Sequence, residues 1–128
     1  MVNGRNDQAS SSFTNQQLTL LRLAATDNRV ERIFVHPAIK LALCQRASGD
    51  RRWLQRIRPW YGHRAHLHVR LRCPAGAYDC QPQKPIPPGE GCGSELMSWF
   101  SGPTEVSSTP RARKLPELPA RCDALLTR

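Results

Sequence analysis

A chain of 128 residues with 39% apolar content has room for one modest hydrophobic core, not two. Its net charge of +9 draws it toward polyanions, whether nucleic acid, an anionic lipid surface or an anionic cell-wall polymer. No stretch approaches the ~18 consecutive apolar residues of a membrane span, so none is expected.

Residues 1–12 are polar, lack the apolar region of a signal peptide and are expected to fray. Asn15 to Thr26 places Leu18, Leu21 and Ala25 at helical spacing, with Leu20, Leu23 and Ala24 widening the stripe. Thr14 or Asn15 can cap that helix, and Asp27-Asn28 supplies turn chemistry at its end. Val30 to Val35 is rich in β-branched and aromatic residues and reads as a short strand. Pro37 suits the first position of a second helix, which runs through Cys44 and stops near Gly49. His36, just before it, reads as a structural or exposed residue. Asp50 is expected to cap a third helix, whose Trp53, Leu54 and Ile57 make one apolar face, with Pro59 closing it.

His63 to Arg72 alternates and reads as a strand. Ala65, Leu67, Val69 and Leu71 make an apolar face, with His66, His68, Arg70 and Arg72 opposite. Residues 73–92 are rich in proline and glycine and carry three of the five cysteines. Ser94 to Phe100 suggests a short helix. Residues 102–128 read as a proline-rich tail, after a folded region over 15–101 and a disordered or remnant segment over 1–14.

Three of the four histidines fall within six residues: His63, His66 and His68. On one strand face, His66 and His68 stand roughly 6.5–7 Å apart along the chain. Two such imidazoles can converge on one ion, or one can ligate while the other handles protons. A catalytic zinc takes three protein ligands and a water whose pKa it lowers, and the HxH spacing supplies part of that set. The same residues also fit a solvated polar face in a basic patch, or a phosphate-contacting surface. The cysteines form no CxxC pair and sit in loop-rich sequence, which suits an oxidising compartment. Five is an odd number, so one thiol lacks a partner within the chain.

The run Arg58-Pro59-Trp60-Tyr61-Gly62-His63-Arg64-Ala65-His66-Leu67-His68-Val69-Arg70-Leu71-Arg72-Cys73-Pro74 resembles the signature of the penicillin-insensitive murein endopeptidases. The segments at 33–40, 50–60 and 89–100 are similar to the same family, and the resemblance covers roughly residues 15–125. It implies an α+β fold: a small antiparallel sheet flanked by helices and disulfide-tied loops, of the LAS type shared with lysostaphin, D-Ala-D-Ala peptidases and hedgehog. It also implies a periplasmic zinc enzyme that hydrolyses the D-alanyl–meso-diaminopimelyl cross-link of peptidoglycan with a metal-activated water, and a partner that is murein, not nucleic acid.

By motif position, His68 matches the zinc ligand. His66 matches the histidine beside the metal, a base or transition-state stabiliser, and His63 a further active-site histidine. Arg64, Arg70 and Arg72 are candidates for contacting stem-peptide carboxylates. The resemblance pairs Cys44 with Cys92 and Cys73 with Cys80, and leaves Cys122 for a cysteine outside this sequence. The family's other zinc ligands come from a His-x6-Asp motif. That spacing is absent here, since His36 plus seven is Leu43. The matching region is expected to lie before Met1, which makes the chain an N-terminally incomplete form that would be inactive alone. The alternatives are a catalytically inactive cell-wall-binding fragment and a basic nucleic-acid-binding domain. Against the latter, no helix-turn-helix, RNP, KH or zinc-finger pattern is present.

Overall fold

A computed structural model of the chain describes residues 1–5 and 8–101. Helix α1, Asn15–Thr26, opens on a capping box: the Thr14 hydroxyl accepts from the Gln16 N–H (3.2 Å) and the Gln17 side chain accepts from the Thr14 N–H (2.9 Å). It buries Leu21 and Ala25, while Leu20 and Leu23 stay exposed, so the apolar stripe is narrower than the leucine count implies. Strand β1, Val30–Val35, follows a turn, and helix α2, Pro37–Arg46, starts with Pro37 at its first position.

The expected third helix is instead a 3-10 turn, Arg52–Arg56, running directly into strand β2, Ile57–Pro59. Asp50 does not cap a helix. Its carboxylate accepts from the Arg52 N–H (3.0 Å) and pairs with the Arg52 guanidinium (2.7 Å). Pro59 ends β2, which lies at a sheet edge where a missing N–H is tolerated. Strand β3, His68–Leu71, is shorter than the expected 63–72, and helix α3, Ser94–Ser101, closes the described chain.

The sheet has the order β2-β1-β3, with β2 parallel and β3 antiparallel to the central β1. The expected antiparallel sheet is thus a mixed one. The long connection through α2 and the 3-10 turn brings β2 back in the same direction as β1, as a parallel pair requires. Ile33 and Val35 point into a core shared with Leu21 and Ala25 of α1, Ile39 and Leu43 of α2, and Leu54 and Ile57. A register shift between Val30 and Arg32 also turns Val30 inward. Strand alternation then sends Phe34 to the opposite face. Val69 and Leu71, expected to be covered, are exposed on the edge strand.

Two disulfides, Cys44–Cys92 and Cys73–Cys80, match the expected pairing. The expectations for Cys122 and the tail at 102–128 lie outside the described residues. The loop before α3 is fastened by more than Cys92. Arg51 pairs with Glu90 (2.7 Å) and donates to the carbonyls of Cys44 (3.1 Å) and Ala47 (2.7 Å) at the end of α2.

Lys40, fully buried, donates from Nζ to the carbonyls of Leu54 (2.7 Å) and Glu90. One ammonium thus ties α2, the 3-10 turn and the loop together. Burial, then the charge of Arg58, brings its pKa down to about 7, against the pull of Glu90 and Glu95.

Candidate active site

The outer face of the sheet gathers the histidines. Phe34 of β1 stands opposite His68 of β3 in register, and their rings are 5.5 Å apart. Phe34 also meets Trp60 edge-on at 5.7 Å and His63 at 6.4 Å, so an aromatic ring forms the floor of the cluster.

His63 and His66 lie in the irregular segment between β2 and β3, not on the strand. A tight turn at Tyr61-Gly62, with Gly62 at φ 83°, a conformation that favours glycine, throws His63 back over the sheet. His63 is the centre of the group: its ring lies 5.0 Å from that of His66 and 6.1 Å, nearly parallel, from that of His68. His66 and His68 are expected to share one strand face, but His66 lies outside β3. The late start of β3 puts His63 between them instead.

The orientation of His63 follows from its partner. Its Nδ1 is 3.0 Å from the Tyr61 carbonyl, which can only accept, so Nδ1 donates and Nε2 is the nitrogen left for other partners. His66 and His68 are exposed.

Behind this group, buried His36 caps α2, its Nδ1 accepting from the Ala38 N–H (3.2 Å). Burial first, then the positive charge of Arg64 and the neighbouring His63 imidazole, hold its imidazole below the ordinary histidine value. A neutral ring is what this cap needs, because only an unprotonated Nδ1 can accept. Its helix-capping role was legible only as its position next to Pro37.

The arginines divide. Arg64 is exposed. Arg70 is engaged by Glu31 (3.6 Å) and donates to the Gln81 carbonyl, while its cross-strand partner Arg32 donates to the Lys84 carbonyl. These two strap the 81–84 loop onto the sheet. Arg72 donates to the Asn28 carbonyl (2.9 Å).

Imidazole nitrogen suits zinc. Yet among the described residues no group of three His, Cys, Asp or Glu is placed to hold an ion. Glu31, Glu90 and Glu95 each pair with an arginine, Arg70, Arg51 and Arg58 in turn. The described residues therefore do not by themselves fit a catalytic zinc, and no reaction step through a metal follows from them.

The sequence model of the family described as penicillin-insensitive murein endopeptidase matches residues 1–127. The penicillin-insensitive murein endopeptidase of Klebsiella pneumoniae subsp. pneumoniae is 54% identical over 116 residues, covering 91% of this chain and 42% of that protein. The Salmonella arizonae protein of the same name is 52% identical over the same extent. The chain thus spans about two fifths of the length of these curated relatives.

Proposed function

The chain belongs to the penicillin-insensitive murein endopeptidase family, and from that premise we propose that it supplies the histidine face of a zinc endopeptidase acting on peptidoglycan. The bond cleaved is the D-alanyl–meso-diaminopimelyl cross-link, the fold is of the LAS type, and the site of action is the periplasm. The observation that carries this reading is the packing of His63, His66 and His68 around one another on the sheet face away from the core.

In this reading His68 is one ligand of the zinc. Among the described residues no group of three candidate ligands is placed to hold an ion, so in this reading His68 needs further ligands to complete the site. Zinc, when bound, supplies Lewis acidity and an acidified water.

The chain's own residues hold and direct. The Tyr61 carbonyl holds the His63 ring through Nδ1 and leaves Nε2 to face other partners. In this reading His66, which is exposed and next to His63, takes or returns a proton at an approaching amide. Exposed Arg64 can meet a stem-peptide carboxylate. Arg70 is tied to Glu31 and Gln81 and serves the loop first.

The test is a chimera in which this chain replaces the matched part of the Klebsiella protein. It is expected to convert a cross-linked muropeptide dimer to monomers, read by chromatography and mass spectrometry. His68→Ala should cut the rate by at least ~100-fold, and His66→Ala by roughly 100-fold or more. The chain alone is expected to bind zinc weakly and to leave the dimer intact. A folded, active chimera indifferent to His68→Ala would end this assignment.

A further inference from the structure

Beside the histidines lies an aromatic wall that neither the core nor the proposed chemistry uses. From His68 the rings run through Phe34 to Trp60, then to Trp99 at 6.2 Å, with Tyr61 at 4.7 Å from Trp99. Trp60 and Tyr61 are 56% and 54% exposed. Large aromatic side chains are the ones whose burial stabilises a fold most, and these two are held in water.

Tyr61 and the helix that carries Trp99 are also tied in place, and Trp60 packs against the rings of Phe34 and Trp99. The Tyr61 hydroxyl donates to the Trp99 carbonyl (2.8 Å), Arg58 pairs with Glu95, Leu96 is fully buried, and Cys92 is anchored to Cys44 just before α3. A platform fixed before binding loses little freedom when a ligand arrives.

We propose that Trp60, Tyr61 and Trp99 form a saccharide platform that seats a pyranose ring of the murein glycan strand beside the histidine face. This rests on the murein reading above and names which part of murein the wall recognises. A pyranose has an apolar C–H face that stacks on an indole and a polar rim that stays in water, which suits half-exposed rings. The spacing agrees. Trp60 is two ring-to-ring steps of 5.7 and 5.5 Å from His68. A three-residue stem peptide spans at most ~10–11 Å when extended. A sugar on the wall thus leaves its own stem long enough to present a cross-link to the histidines.

The experiment measures binding to the full chain by tryptophan fluorescence and calorimetry. The two probes are peptide-free murein glycan chains and a sugar-free cross-linked peptide dimer. Glycan is expected to bind, with affinity at least ~5-fold weaker in Trp60→Ala and within about 2-fold in Trp60→Phe. Leu23→Ala, on the exposed side of α1, should change nothing. Trp60 is exposed, so its substitution should leave the thermal midpoint in place, which is checked in parallel. If the sugar-free dimer binds and loses affinity in Trp60→Ala while glycan does not bind, the saccharide assignment is overturned and the endopeptidase reading stands. If glycan binding depends on Trp60 but the chimera never hydrolyses a cross-link, the platform stands and the endopeptidase reading falls. Binding of neither probe overturns the platform.

Discussion

The two faces of the central strand share one backbone and have different work. Inward, Ile33 and Val35 are sealed against both long helices. Outward, Phe34 carries the histidines and the start of the aromatic wall. Period-two alternation is enough to make that division. The inner face is fixed by volume and has few tolerable substitutions. The outer face is fixed by a register position, a tight turn and a few polar ties, so substitutions there are expected to cost less stability.

The largest expected effect comes from what clamps the inner layer. Removing Cys44–Cys92 opens a loop of 48 residues, and serines at both positions should cost about 4 kcal/mol in urea unfolding by the loop-entropy relation. The loop closed by Cys73–Cys80 is shorter, with a separation of 7, and its removal should cost about 2–3 kcal/mol. Equal losses would show that the outer loops bear on stability as much as the core does.

Of similar size is Ile33→Ala, which empties a fully buried position and should cost about 2–5 kcal/mol. Phe34→Ala, one residue along on the other face, should cost visibly less while displacing His68. If Phe34→Ala proves the worse of the two, the sheet has its structural core on both sides and the comparison fails.

How far this partition was legible depends on what each element needed. Helix α1 and its Thr14 cap were readable because both signals are local. So were Pro37 at the head of α2 and the extent of β1. The parallel pairing of β1 with β2 was not, because a three-residue strand ending in proline carries too little pattern to separate from the end of a helix. Lys40 was hidden for a different reason: its acceptors are backbone carbonyls 14 and 50 residues away, which no side-chain motif encodes. Around the histidines, the expected shared strand face of His66 and His68 does not form. Alternation predicted a strand through His66, but the chain enters β3 only at His68, and His63 takes the middle.

Lys40 offers a pH test of the inner layer. In the unfolded chain a lysine keeps its proton to about pH 10.4, whereas burial lowers the folded value to about 7. Between those limits unfolding takes up a proton, so raising the pH through this window should increase stability. Lys40→Met removes the titration and should flatten that part of the profile, though it also leaves the carbonyls of Leu54 and Glu90 without their donor. Stability that falls from pH 7 to 10 in the parent chain and not in Lys40→Met would mean that the folded ammonium is favoured, reversing the sign.

The smallest expected effect is the most telling. His68 is exposed at the start of an edge strand and touches the fold chiefly through the ring of Phe34. Surface substitutions of this kind shift stability by within about 0.5 kcal/mol, and His68→Ala should do no more in urea unfolding of the chain. The same change is expected to remove hydrolysis from the chimera, so one residue would separate stability from activity almost completely. A loss of 2 kcal/mol or more would show instead that the imidazole is packing material, because no transition-state role can appear in an unfolding curve. The outer face would then be a second layer of the fold, and the link between its histidines and peptide hydrolysis would have to be sought on other residues.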